Sequence, residues 1–210
     1  MLRGYDKLDS ILCCCPVIPA LTLDRPEDAV NVGIALADSG LTVVEVLLRT
    51  PGAVECISAL KSVGDLVIGA GTVLNLEQFA MMLDAGVDFV VTPGSTEALT
   101  EVAIDCSVPL LPGASTVSEI MGLVESGYRR VKFFPAEYAG GTGFLKSMQG
   151  VFPEVKFYPT GGISSDNAGS YLALDNVACV GGSWIVPAFA VRERNWSLIK
   201  DLALAANGLR

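Results

Sequence analysis

A lysine stands inside an apolar, strand-like run at Arg130-Val-Lys-Phe-Phe-Pro135. Side chains of a strand alternate, so Lys132 shares a face with Arg130 and Phe134, while Val131 and Phe133 share the other. With the latter pair turned to covering helices, the amine points inward. Burial there disfavours an ammonium and favours the neutral amine that attacks a ketone to form a Schiff base. A lysine at a strand end with its head in water would give the same pattern without chemistry. In Glu45-Val-Leu-Leu-Arg49, the residues Glu45, Leu47 and Arg49 share one parity, so two charges point the same way. Arg49 suits a bidentate carboxylate clamp, and Glu45 suits general acid and base work, directly or through a water. A structural Glu45–Arg49 ion pair is the competing reading.

Three glycine-rich turns follow other strand-like runs. Gly69-Ala-Gly71-Thr72 lets backbone approach a ligand and offers a hydroxyl to a carboxylate. Pro159-Thr-Gly-Gly-Ile-Ser164 and Gly181-Gly-Ser183 end the seventh and eighth runs. The loops after strands seven and eight are a common phosphate position in barrel enzymes. The amides of Gly161, Gly162, Gly181 and Gly182, with the Ser183 hydroxyl, can hold a phosphate without arginine. Two ordinary tight turns would look alike.

These residues need a frame. Strand-like runs lie at Pro16–Leu21, Thr42–Leu48, Leu66–Ala70, Phe89–Thr92, Val108–Leu111, Arg130–Phe134, Lys156–Pro159 and Val177–Gly181. Their brevity and Val, Ile and Phe content fit buried parallel strands. Amphipathic stretches alternate with them. Asp24 reads as the N-cap before Pro26; Asn75, Ser95, Thr116 and Ser164 or Ser165 are further candidate caps. Thr116-Val-Ser-Glu119 matches a capping box. Gly86 and Gly127 read as helix-ending glycines. The alternation predicts an α/β fold: a single-domain (β/α)8 TIM barrel over 1–210, with an N-terminal helix about Asp6 to Cys13. The rival is an open doubly wound sheet, which the lack of G-x-G-x-x-G after the first strand disfavours.

Composition limits the chemistry. The chain of 210 residues has no histidine and a formal net charge of −9. The missing histidines remove the Ser/His/Asp triad and the commonest metal ligand. The acidic surface repels nucleic acid and anionic membranes, so neither is an expected partner. Cys13, Cys14, Cys15, Cys56, Cys106 and Cys179 form no C-x-x-C pair. They read as reduced, buried cysteines of a cytoplasmic protein, and no metal or cofactor is expected. The apolar run Ile11 to Leu21 carries Asp6 and Asp9 ahead of it and two prolines within it. It reads as a first strand rather than a signal peptide.

Taken together and in order, Glu45-Val-Leu-Leu-Arg-Thr50, Gly69-Ala-Gly-Thr-Val-Leu-Asn75, Lys132-Phe-Phe-Pro-Ala-Glu137, Pro159-Thr-Gly-Gly-Ile-Ser164 and Gly181-Gly-Ser-Trp184 resemble the 2-keto-3-deoxy-6-phosphogluconate (KDPG) aldolases. Members that also cleave 4-hydroxy-2-oxoglutarate (KHG) are the nearest look-alikes. The resemblance covers the chain from about residue 10 onward. It implies a homotrimer of barrels, with Lys132 as the Schiff-base lysine and Glu45 as the proton shuttle. Arg49, Thr72 and Thr160 would bind the pyruvate carboxylate end, with Pro93 and Phe134 lining the pocket. Gly161, Gly162, Gly182 and Ser183 would bind phosphate. The implied partners are pyruvate and a phosphorylated keto sugar acid, without a metal. The chain departs from the pattern at Leu47, where close relatives often carry Thr, and in its first strand, which lacks an arginine some members have. Two other readings of the residues stay open: a non-covalent phosphosugar isomerase or epimerase, and a phosphosugar-binding protein without turnover.

Overall fold

A computed structural model describes residues 5–209. The short apolar runs form parallel strands: β1 Val17–Leu21, β2 Val43–Leu47, β3 Val67–Gly71, β4 Phe89–Val91, β5 Leu110–Leu111, β6 Gly113–Ala114, β7 Arg130–Phe133, β8 Lys156–Pro159 and β9 Val180–Gly182. The amphipathic stretches form helices α1 Tyr5–Cys13, α2 Pro26–Ala37, α3 Ala53–Leu60, α4 Leu76–Asp84 and α5 Glu97–Ile104. Beyond these come α6 Val117–Glu125, α7 Gly141–Met148, α8 Ala168–Leu172, α9 Ala188–Arg192 and α10 Trp196–Asn207. Nearly every strand residue is buried, as expected where both faces of a parallel sheet are covered.

Six strands hydrogen-bond in the order β5-β4-β3-β2-β1-β9, and three in the order β6-β7-β8. Every pairing is parallel, and bridges at Phe157–Val177 and Thr160–Gly181 connect β8 with the chain of β9. The result is an α/β fold around a curled parallel sheet. The fifth strand expected at Val108–Leu111 is shorter, β5 covering only Leu110–Leu111, and an unexpected second piece, β6, follows Pro112. Proline has no N–H to donate to a ladder. The Pro112 carbonyl still accepts from Lys132 N at 2.8 Å, which ties this corner to β7.

Local signals hold in part. Asn75 caps α4, and Thr116 with Glu119 forms the full capping box of α6. Asp24 does not cap α2: Arg25 occupies that position, and the Asp24 carboxylate accepts from Gly52 N at 2.9 Å. Thr96, not Ser95, caps α5. The Ser164 hydroxyl accepts from Asp166 N in a turn, and Asn167 stands at the start of α8. The cysteines are not uniformly buried. Leu8, Ile11, Leu12 and Cys15 form the inward stripe at the start of the chain, which leaves Cys13 and Cys14 facing solvent. Among the described residues, no helix is long and apolar enough to cross a membrane, and no cluster of His, Cys, Asp and Glu is arranged to hold a metal ion.

Candidate active site

Glu45 sits at the centre of β2. Its neighbours Val44 and Val46 take the opposite parity, so its side chain projects to the inner face of the sheet, where it is wholly buried. Lys132 takes the matching place on β7, with its side chain 5% exposed. The two meet across the interior, Lys132 Nζ to Glu45 Oε1 at 3.1 Å. The lysine is therefore not isolated among apolar groups: it is one half of a buried ion pair, in which each charge compensates the other's lost hydration. The Phe134 and Tyr158 rings lie near the amine, at 5.5 and 5.9 Å from Nζ to the ring centroids.

Tyr158, on β8, donates its hydroxyl hydrogen to Glu45 Oε2 at 2.8 Å. Both carboxylate oxygens thus accept a hydrogen bond from a different strand. Burial foremost, and then the adjoining carboxylate, hold the Tyr158 phenol well above the ordinary tyrosine range. The phenol therefore stays a donor across the physiological range. No motif marks Tyr158 in the sequence. The signal available is parity, since Lys156 and Tyr158 share one face of a strand that also carries Phe157.

The close fit around Glu45 explains a glycine. A Cβ placed on Gly71 would overlap Glu45 Oε1 and come within 2.7 Å of Cδ and 2.8 Å of Cγ. Only a bare backbone on β3 leaves room for the carboxylate. The next residue, Thr72, adopts φ 60, a left-handed conformation disfavoured for a branched side chain. It accepts from Arg49 Nε at 3.2 Å. The structural Glu45–Arg49 pair considered from sequence does not form: Glu45 bonds Lys132 and Tyr158, and Arg49, just past the end of β2, turns to Thr72. Arg130, which shares parity with Lys132, pairs with Asp9 of α1.

A cleft lies above the ion pair at the C-terminal ends of the strands. Arg49, Thr72, Pro93, Lys132, Phe134 and Thr160 line one part, and Gly161, Gly162 and Ser183 line another. Ala20, Leu47, Ile163 and Gly181 complete the wall. Glu45 lies beneath Lys132 and does not line the cleft; nor does Gly182, where Gly181 is the lining glycine. Thr160 Oγ1 is buried beside the Tyr158 hydroxyl without a well-formed hydrogen bond in the protein. A buried hydroxyl without such a bond loses its hydration uncompensated, so it marks a place where a polar ligand atom would be favourable. Gly161 and Gly162 have φ 97 and 77, a turn open to glycine and strained for other residues. Glu137 backs this turn. Its N–H donates to Gly161 O at 3.1 Å, and its carboxylate accepts the Tyr171 hydroxyl.

A buried amine next to a buried carboxylate, below a cleft with an arginine, hydroxyls and glycine turns, is equipped for imine chemistry on a keto acid. Comparison with known proteins agrees. The model of the KDPG and KHG aldolase family matches residues 8–202. The KHG/KDPG aldolase of Escherichia coli (strain K12) is 46% identical over 207 residues, 98% of this chain and 97% of that protein. A crystal structure of the Legionella pneumophila KDPG aldolase, with pyruvate captured at low pH as a covalent carbinolamine intermediate, superposes with a TM-score of 0.93 at 46% identity. It covers 95% of this chain and 98% of the other. The Zymomonas mobilis ZM4 enzyme with 3-phosphoglycerate gives a TM-score of 0.92 at 42% identity, covering 97% and 96%. Similar in sequence and in fold to these proteins over nearly its whole length, the chain belongs to the KDPG and KHG aldolase family.

Proposed function

We propose that this protein is a class I aldolase that cleaves 2-keto-3-deoxy-6-phosphogluconate into pyruvate and glyceraldehyde 3-phosphate. 4-Hydroxy-2-oxoglutarate is its second substrate, giving pyruvate and glyoxylate. The observation that carries this reading is the buried Lys132–Glu45 pair beneath the cleft, in a chain of the KDPG and KHG aldolase family.

Proton transfer from Lys132 to Glu45 across their 3.1 Å contact removes both buried charges and frees the amine. The amine attacks the C2 ketone, Glu45 gives its proton to the carbinolamine hydroxyl, and loss of water leaves a protonated imine on Lys132 and an ionised Glu45. Glu45 takes the C4 hydroxyl proton, through a water; the C3–C4 bond breaks and its electron pair flows to the imine nitrogen, giving an enamine. The aldehyde departs, C3 is reprotonated, and water hydrolyses the imine to release pyruvate. The imine is the electron sink, so the cycle needs no metal ion. Arg49, Thr72 and Thr160 bind the carboxylate end of the substrate, with Pro93 and Phe134 against its body. The buried Thr160 hydroxyl, which makes no well-formed hydrogen bond in the protein, and the Arg49–Thr72 contact support that assignment. Gly161, Gly162, Gly182 and Ser183 hold the phosphate, supported by the left-handed glycine turn in the cleft wall.

We assign the whole chain, 1–210, to one domain that closes as an eight-stranded barrel, with β5 and β6 as one interrupted strand and the β8–β9 bridges as the other closure. The assembly is a cytoplasmic homotrimer; exposed Leu74, Leu76 and Met81 supply apolar surface for subunit contact. Light scattering at micromolar concentration should give three times the chain mass, and a monomer overturns that assignment. The activity is tested by following pyruvate release from each substrate, with and without a chelator. Release unaffected by chelation, and lost in Lys132→Ala, is the expected result. No release from either substrate by folded protein, or full activity in Lys132→Ala, overturns the reading.

A further inference from the structure

Glu45 is placed by two donors. Lys132 keeps a single N–H when its nitrogen becomes a protonated imine, and the attached substrate carbon then constrains where that N–H points. Tyr158 has no such constraint. Its hydroxyl holds Oε2 at 2.8 Å, and it is itself wholly buried on β8. The strand arrangement leaves room for that phenol: a Cβ on Gly181 of β9 would overlap the Tyr158 and Thr160 hydroxyls and lie 2.8 Å from Tyr158 Cζ. The other strands around the pair, β1, β3, β4, β5, β6 and β9, bring no titratable side chain. Cys179, just before β9, lies near enough to act on the phenol. At the cleft end of β2, Arg49 is engaged with Thr72.

We propose that Tyr158 is a positioning residue of the aldolase reaction: it pins Glu45 by Oε2, so that Oε1 alone carries protons to and from the substrate while Lys132 is occupied as the imine. This rests on the Schiff-base reading of Lys132. Its consequence is a division of labour. Imine formation depends on the amine and survives without the phenol. Proton transfer at C3 and C4 depends on the placement of Oε1 and on keeping the carboxylate ionised in a dry interior. Losing the phenol removes the one donor to Glu45 that the reaction leaves chemically unaltered. A buried carboxylate with fewer donors holds a proton more firmly, so its base form is reached only at higher pH.

The test is Tyr158→Phe, which keeps the ring and its packing. Two rates are read on the wild type and the variant across pH: reductive trapping of pyruvate on Lys132 by borohydride, and exchange of the pyruvate methyl protons with deuterated water. Trapping should stay within about twofold. The plateau exchange rate should fall about tenfold, and its acid limb should move up by about one pH unit, the equivalent of one hydrogen bond to a charged group. Fluorotyrosine at 158, a stronger donor of nearly the same shape, should move the acid limb down. It supplies the readout if the Phe variant fails to fold. Unchanged exchange and pH profile in the Phe variant, or no shift with fluorotyrosine, overturns the proposal; so does loss of trapping in a folded Phe variant. Failure of the wild type to trap pyruvate refutes the Schiff-base reading instead and is recognisable as such.

Discussion

Replacing Lys132 by methionine removes one partner from a buried charge. The structure sets the size of the effect. Glu45 is fully buried and accepts two hydrogen bonds, at 3.1 Å from Lys132 and 2.8 Å from Tyr158. After the substitution it keeps only the neutral donor. Breaking one side of a buried ion pair costs about 3–5 kcal/mol, because the remaining charge is stranded without water. In a chain of this length about 1 kcal/mol corresponds to roughly 2–4 °C in Tm, so the variant should melt about 10 °C lower. Activity should vanish as well, but the stability loss is a separate claim with a separate control. The double variant Lys132→Met, Glu45→Gln removes both charges of the pair and should recover most of the lost stability, while remaining inactive. Denaturant unfolding of all forms at neutral pH and one protomer concentration measures this directly. A single variant as stable as the wild type, or a double variant no better than the single, would refute the buried-pair reasoning.

Gly71→Ala should lower kcat by about a hundredfold, because the added methyl displaces the Glu45 carboxylate and misplacement near an ångström costs on that order; steady-state kinetics on folded protein decides it. Arg49→Lys should raise KM more than it lowers kcat, since an ammonium cannot clamp a carboxylate bidentately; a drop in kcat alone at constant KM counts against the clamp. Thr116→Ala should cost about 1 kcal/mol by uncapping α6, without altering kcat. Glu119 adds a pH dependence of defined sign. The Ser115 amide foremost holds its carboxyl below the usual range. Its stabilising effect is therefore present above the ordinary glutamate pKa and is lost as pH falls through the depressed folded value. Glu119→Gln should be less stable than wild type at neutral pH, with the gap closing in acid. A gap that widens in acid contradicts the assignment.

Much of this arrangement is legible in the residue order. Strand parity alone turns Glu45 and Lys132 inward, and the brevity of the apolar runs places their ends where the cleft lies. What parity does not reveal is which inward groups meet. Glu45 and Lys132 are separated by 87 positions, and the third member, Tyr158, by a further 26. Read alone, Glu45 has Arg49 as its obvious partner, and only the curl of the sheet sets Lys132 closer. Tyr158 reads as an ordinary aromatic in a buried strand, because the need for its hydroxyl exists only once a carboxylate faces it. Caps fail by one residue for a similar reason. Asp24 and Arg25, or Ser95 and Thr96, are told apart by where the backbone turns from extended to helical, a choice fixed by packing. The run Val108–Leu111 stops short of Pro112, a residue that cannot complete a ladder, and nothing in the apolar pattern marks Gly113 and Ala114 beyond it as a further strand piece.

The whole reaction turns on the covalent role of Lys132. Mass spectrometry of the protein after incubation with pyruvate and borohydride, first intact and then as peptides, tests it most directly. One reduced pyruvate adduct per chain is expected, on the peptide bearing Lys132 and absent from Lys132→Ala. Pyruvate bound without an adduct, or an adduct on another lysine, would contradict it.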